Sequence, residues 1–155
     1  MLLKMKVFGL TMDPFTNVPI VILKDDGEKN ALPVWIGVLE ASAIASELEK
    51  VQFSRPMTHD LLKDLIKLVG AKVEKIEVTD LKDNVYYATI HFTGSNGAFT
   101  MDSRPSDAIA IALRTGDVPP VGGDEHDLAA VGADALHRHP VGPQVGLVGP
   151  GLLGA

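Results

Sequence analysis

Cysteine is absent from the 155-residue chain, which excludes disulfides, thiolate zinc sites and cysteine nucleophiles. No segment reaches transmembrane length, and the N-terminal stretch, interrupted by Lys4 and Lys6, has neither the apolar region nor the cleavage site of a signal peptide. We therefore expect a cytoplasmic protein with no membrane partner. The sequence also lacks a Gly-rich phosphate loop, a G-x-S-x-G elbow, a His-x-x-x-His pair and a dinucleotide-binding fingerprint.

An excess of positive charge is also missing. The net charge is −6, and residues 1–115 hold 13 Lys and Arg against 15 Asp and Glu, while residues 116–155 hold one arginine against five acids. A nearly neutral body lacks the basic footprint of a high-affinity, non-specific nucleic-acid binder. A local phosphate site is still compatible with this charge.

The last 40 residues differ in composition from everything before them. They use ten residue types and contain no Lys, Ile, Phe, Tyr, Trp, Ser, Thr, Asn or Met. We interpret residues 1–115 as one domain and residues 116–155 as an atypical tail, either a GC-rich stretch read in a non-native frame or an appended low-complexity segment. Its Gly and Pro content predicts neither long helices nor central strands. His126, His137 and His139 are interpreted as tail residues without a metal role.

The first 115 residues contain an internal repeat at an offset of 67 residues without a gap. Asp13–Ala45 and Asp80–Ala112 share nine identities over 33 positions, and Glu40 aligns with Asp107. Turn residues separate runs rich in β-branched and aliphatic residues, which predicts three strands and then a helix in each copy. The predicted fold is α+β, a duplicated β-β-β-α unit with a mixed or antiparallel sheet. Residues 58–70 form an extra amphipathic helix between the copies, with Leu61, Leu62, Leu65, Ile66 and Val69 on one stripe.

Two stretches begin with Ser-Arg-Pro, namely SRPMTHD at 54–60 and SRPSD at 103–107. In each, an acid falls in the first turn of a predicted helix, and Thr58 and Ser106 are suitable N-caps. The first interpretation is therefore that Asp60, Asp107 and Glu40 complete helix starts, where the dipole favours a carboxylate.

The second interpretation is a functional cleft in which these polar residues converge. Carboxylates suit Mg²⁺ or Mn²⁺, while arginine holds phosphate and histidine carries protons. We assign metal ligation to Glu40, Asp102 and Asp107, phosphate binding to Arg55 and Arg104, and proton transfer to His59 with Asp60. A structural His59 bonded to a neighbouring carboxylate remains an equal alternative.

Four stretches together make the chain resemble the bifunctional nuclease domain family: LPVWIG with Glu40, RPMTHDLL at 55–62, LKDNVYYATI at 81–90 and DSRPSDAIAIA at 102–112. The resemblance covers roughly residues 5–116. It implies a compact α+β domain, usually a homo-oligomer, with degradation of DNA and RNA in some members. The matching candidate positions are Glu40, Arg55, His59, Asp60, Asp102, Ser103, Arg104 and Asp107. In members of the family an apolar strand follows the segment RTG, which is 114–116 here, and we expect this strand to be missing from this chain.

Two functions remain open on this basis. The first is a nuclease that cleaves DNA and RNA with little sequence preference and with help from a divalent cation. The second is a non-catalytic oligomeric module, regulatory or anion-binding, in which Arg55 and Arg104 bridge carboxylates across the two halves. Low basicity favours the second, and the resemblance favours the first.

Overall fold

A computed structural model describes residues 2–83, 85–115 and 127–132, and it has the predicted α+β architecture. The chain passes twice through the order strand, strand, strand, helix. The first pass consists of β1 (Leu2–Met12), β2 (Pro19–Lys24), β3 (Ala31–Trp35) and α1 (Val38–Leu48). The second consists of β4 (Lys72–Lys82), β5 (Val85–Gly94), β6 (Gly97–Ser103) and α3 (Pro105–Thr115), and α2 (Thr58–Leu68) lies between the passes.

The two passes have matching spacing. Helix α1 begins at Val38 and α3 at Pro105, 67 residues later, which equals the offset of the sequence repeat. Each pass forms a three-stranded antiparallel meander, because short turns connect its consecutive strands. The turn from β5 to β6 ends at Gly97, whose φ of 103° favours glycine. An ancestral duplication stays a prediction.

A seventh strand joins the two meanders and corrects an expectation from the sequence. Strand β7 (Asp127–Gly132) lies between β1, to which it is antiparallel, and β4, to which it is parallel. The result is one mixed sheet in the order β3-β2-β1-β7-β4-β5-β6. The expectation that the tail holds no central strand and that the last strand is missing is therefore wrong. A six-residue strand needs only a short interval free of proline, and residues 127–132 provide one.

The three helices cover one face of the sheet, and α3 is the innermost of them. Helix α3 contacts both other helices and strands β4 and β5. Its residues Ala108–Ala112 are all buried, so this helix is apolar on every side. Ala108, Ala110 and Ala112 take up little space in this core, while Ile109 and Ile111 fill it. The start and the end of α3 therefore have fixed positions relative to the rest of the fold.

Some sequence predictions fall outside this description. His126, His137 and His139 lie outside the described residues, as does all of the predicted tail except β7. Among the helices of the described part, none is long and apolar enough to cross a membrane.

Truncation tests the predicted domain boundary. We expect a chain that ends at Thr115 to lose cooperative unfolding, because β1 and β4 then lack the strand between them and expose two edges. A chain that ends at Ala135 keeps β7 and is the matched control. Urea unfolding followed by circular dichroism measures both. Cooperative unfolding of the shorter chain at the full-length midpoint would contradict this expectation.

Candidate functional site

The guanidinium of Arg104 joins the starts of α1 and α3. Arg104 immediately precedes α3, and its Nε donates to Asp107 Oδ2 at 2.7 Å, while its Nη1 donates to Glu40 Oε1 at 2.6 Å. Glu40 and Asp107 are the acids that align in the sequence repeat. The arginine side chain is 64% exposed, and its Nη2 makes no hydrogen bond within the described residues. The two carboxylates thus orient a cation whose outer edge faces solvent.

His59 completes the cluster from α2. Its Nε2 lies 2.9 Å from Asp107 Oδ1, and its side chain is 17% exposed. Burial opposes ionisation of Asp107, but the hydrogen bonds from Arg104 and His59 outweigh it and lower the pKa of the carboxyl. An ionised Asp107 can only accept a hydrogen bond, so Nε2 carries the hydrogen and Nδ1 is the basic nitrogen of neutral His59. The pair therefore has the arrangement of an oriented general base.

Glu40 reaches Arg104 because Gly37 leaves room for it. Glu40 lies in the first turn of α1, and a Cβ on Gly37, the N-cap, would clash with Glu40 Oε2. The backbone N–H of Glu40 and then Arg104 lower the pKa of this carboxyl. Gly37 has an ordinary extended backbone, so its small size rather than its flexibility matters here.

A second arginine joins all three helices below the surface. Arg114, in the last turn of α3, is 3% exposed, and its Nε donates to Asp60 Oδ1 at 2.8 Å. Its Nη1 donates to Ala110 O, and its Nη2 donates to Ala43 O at 2.8 Å and contacts Ser46 Oγ at 3.4 Å. Every nitrogen of this guanidinium has an acceptor, so the buried charge is compensated.

Asp60 has two structural partners, and His59 pairs with a different carboxylate. Oδ2 of Asp60 accepts a hydrogen bond from the backbone N–H of Met57 at 3.0 Å, which caps α2. Burial opposes ionisation, yet Arg114 and that N–H lower the pKa of Asp60. The partner of His59 is Asp107, so the structure does not assemble the predicted pairing of His59 with Asp60.

The helix starts also differ from the predicted caps. The N-cap of α2 is Met57, one residue before Thr58, and its N–H is satisfied by the Asp60 carboxylate rather than by a hydroxyl. Ser106 lies inside α3, where it is buried, because that helix begins with Pro105. Proline fits the first helical position because its missing N–H would have no partner there.

The structure does not bring Asp102 and Arg55 into the cluster. Asp102 pairs with Thr89 across the β5–β6 ladder, between the helix-facing positions of Ile90 and Ala88, so it points to the opposite face of the sheet. Arg55 is exposed in the loop before α2, and within the described residues it makes no ion pair.

The predicted metal ligands therefore do not fit a shared ion. Glu40 and Asp107 are hydrogen-bonded to Arg104, and Asp102 lies on another face. In residues 2–83, 85–115 and 127–132, no group of three or more His, Cys, Asp or Glu side chains could hold a metal ion. Assistance by Mg²⁺ or Mn²⁺ stays a prediction.

A cavity of about 520 Å³ opens beside the cluster. Arg104 lines it, and the other lining groups are mainly apolar: Val34, Trp35, Ile36, Gly37, Val85, Tyr86, Pro105 and Ser106. The indole Nε1 of Trp35 donates to Asp13 Oδ2 at 2.9 Å, which fixes the ring. Arg104 thus borders a pocket of the size that holds small ligands.

Sequence analysis missed Arg114 and Gly37. Arg114 stands at the end of the apolar helix, and its only sequence signal is a lone cation after a fully apolar run. That signal is ambiguous, because a basic residue in the last turn is favoured by the helix dipole in any case. Gly37 aligns with Arg104 in the repeat, but nothing in the sequence links its size to Glu40.

Comparison with known proteins identifies the family of this chain. The model of the bifunctional nuclease domain matches residues 21–126. An uncharacterized protein of Mycobacterium tuberculosis (strain CDC 1551 / Oshkosh) is 37% identical over 113 residues, which span 73% of this chain and 67% of the relative. Bifunctional nuclease 2 of Arabidopsis thaliana is 29% identical over 98 residues, 61% of this chain and 30% of the plant protein. Bifunctional nuclease 1 of the same plant is also 29% identical, over 62% of this chain and 31% of its own length.

Replacing the buried arginine tests its structural role. We expect Arg114→Met to lower the free energy of unfolding by about 2–4 kcal/mol, because Asp60 and two carbonyls lose their donor. Arg55→Ala is the matched control, and an exposed arginine without an ion pair should change stability by less than about 0.5 kcal/mol. Urea unfolding measures both, and equal effects of the two substitutions would contradict the prediction.

Acid should weaken the fold through three carboxylates. The pKa values of Glu40, Asp60 and Asp107 lie below their ordinary values of 4.5, 3.8 and 3.8. Groups with lowered pKa contribute stability above the unfolded-state value, and it is lost as pH falls through the folded-state value. We therefore expect the free energy of unfolding to fall steeply below about pH 4.

Urea unfolding at a series of pH values measures this fall. Applied to Asp60→Asn and Arg114→Met, it identifies one source of the pH dependence. Asp60→Asn removes the titrating group, and Arg114→Met removes the hydrogen bond that favours its charged form. Both profiles should fall less steeply than that of the unaltered protein. Two slopes as steep as the original would show that Asp60 does not contribute.

Proposed function

The chain belongs to the bifunctional nuclease domain family, and from that premise we propose that it hydrolyses phosphodiester bonds of DNA and RNA with little sequence preference. One observation carries the proposal: His59 is hydrogen-bonded to Asp107 beside the exposed edge of Arg104. A base and a cation next to a cavity are the groups that phosphoryl transfer requires.

In the proposed reaction, Arg104 binds the scissile phosphate through Nη2. Glu40 and Asp107 hold the guanidinium, so its donors are oriented before the substrate arrives. Arg55 lies four residues before His59, in the loop that leads into α2, and supplies a second cation for the nucleic-acid backbone. The apolar cavity receives the adjoining nucleotide, whose base can lie against the Trp35 ring.

His59 then activates the attacking water. Its Nδ1 takes a proton from the water while the water oxygen forms a bond to phosphorus. The bond between phosphorus and the leaving oxygen breaks, and that oxygen takes a proton from solvent. Asp107 keeps the histidine in the required tautomer and stabilises the imidazolium. No step is assigned to a metal ion, and Mg²⁺, Mn²⁺ and EDTA arms in the assay below test such assistance.

A second candidate function follows from the same contacts. Arg104 and Arg114 each link different helices, so the network is complete as a structural device without any substrate. This arrangement favours a non-catalytic module that binds anions or regulates a partner. Such a module would bind a short oligonucleotide or inorganic phosphate without cleaving it.

Cleavage by the full chain tests the first function against the second. We expect hydrolysis of labelled single-stranded DNA and RNA, and His59→Gln should lower its rate about 10²–10⁴-fold because the general base is lost. His91→Gln is the matched control: His91 also meets a carboxylate, Glu77, with Nε2 and Oε2 3.2 Å apart, but on strands outside the cluster.

Each outcome has a distinct meaning. Equal cleavage by the His59→Gln and His91→Gln proteins, purified identically, would assign the activity to another site or to a contaminant. Binding of oligonucleotide without cleavage under any metal condition would favour the second function.

A further inference from the structure

The outer side of α2 and the helix-facing side of β6 leave six apolar side chains uncovered. Of the apolar stripe predicted on α2, Ile66 is buried and Leu62 packs against the core in part, while the other members are exposed. We call the uncovered set the α2–β6 surface: Leu61 (63% exposed), Leu65 (50%), Leu68 (82%), Val69 (65%), Phe99 (50%) and Met101 (44%).

The two parts of this surface are adjacent. Gly70 follows the C-terminal end of α2, and a Cβ on Gly94 would lie 3.4 Å from Phe99 Cε1 and 3.9 Å from Gly70 O. Phe99 stacks on the buried ring of Phe92, with 5.1 Å between centroids, so the surface continues directly from the core. The last turn of α2 and the β6 side chains therefore border the same short stretch of backbone.

The surface includes an unprotected sheet edge. Among the strands that the structure describes, β3 and β6 are the two edges of the sheet. Strand β3 is five residues long and contains Pro33, and both features discourage pairing with another strand. Strand β6 is seven residues long, with neither proline nor lysine, and Asp102 is its only charged residue. An edge of this kind is a template for a further strand.

We infer that the α2–β6 surface is the interface between two copies of this chain related by a two-fold axis. An isologous contact pairs β6 with β6 of the second copy and brings both α2 stripes and both sets of β6 apolar residues together. The net charge of −6 opposes self-association over most of the molecule, whereas the six side chains that define this surface are uncharged and Asp102 points to the other face of β6. Two like-charged copies can therefore meet here.

The area suits a second copy. A side chain of this size has about 150–200 Å² of accessible area. The exposed fractions of the six side chains therefore correspond to roughly 600 Å² of apolar surface, which is the upper end of the apolar patches that monomers expose. Two copies together would bury about 1,200 Å² of apolar surface before any polar rim is counted, which reaches the range of specific interfaces.

Light scattering coupled to gel filtration, on the full chain, tests this inference independently of any cleavage activity. We expect a mass twice the 16.5 kDa of one chain. Leu65→Asp with Leu68→Asp should give a monomer with an unchanged circular dichroism spectrum. Met101→Lys, on the other part of the surface, should give the same result and serves if the first variant fails to fold.

The control variant introduces the same two negative charges at another pair of exposed apolar residues. Val38→Asp with Leu39→Asp, on α1, alters two apolar side chains that are 69% and 84% exposed outside the surface. This variant should keep the doubled mass. A monomeric wild-type chain, or an oligomer whose mass the α2 and β6 variants leave unchanged, would overturn the inference.

Discussion

Compensation of the buried Arg114 charge is the constraint on which the helical layer depends. A guanidinium stays protonated in proteins, so its burial costs several kcal/mol unless its donors find acceptors. Those acceptors come from three helices: Ala110 of α3, Ala43 of α1 and Asp60 of α2. Any helix that moved away would leave donors unsatisfied in the interior. The apolar side chains of α3 drive the helices together, and this one side chain determines how they are aligned.

That alignment also determines the composition of the surface cluster. His59 and Asp60 are neighbours on α2, yet they contact Asp107 and Arg114, which are seven residues or about two turns apart on α3. The first turn of α2 therefore lies across the middle of α3. With Asp60 bound to the buried arginine, His59 is directed to the other acid. The ion pair of Arg114 with Asp60 thus positions the hydrogen-bonded pair of His59 and Asp107, because it holds the first turn of α2 against α3.

Local patterns predicted the three strands and the helix of each pass and the helix between them, because turn residues and periodicity of apolar residues are properties of short segments. They did not predict β7. The repeat aligns Glu40 with Asp107, and in the structure both acids contact Arg104. Contacts that depend on how helices cross could not be read in this way: spacing alone favoured Asp60 over Asp107 as the partner of His59. Asp102 was placed with the site for its proximity in sequence, but the alternation of the β6 strand turns it to the other face. The sequence did not predict which part of the α2 stripe is exposed, because periodicity indicates apolar character and not whether other residues cover it.

The structural and catalytic interpretations of the cluster are not exclusive. Glu40 and Asp107 carry two negative charges against the single positive charge of Arg104, so the cluster is acidic while His59 is neutral. The proposed phosphodiester substrate would then be attracted only to donors that point away from the carboxylates, such as Nη2 of Arg104 and the side chain of Arg55. In the proposed reaction, the proton that His59 takes from the water makes the cluster neutral, which favours retention of the anion. A network that is complete without substrate can thus still favour the charge distribution of the reaction, since its polar groups need not reorganise when that charge develops.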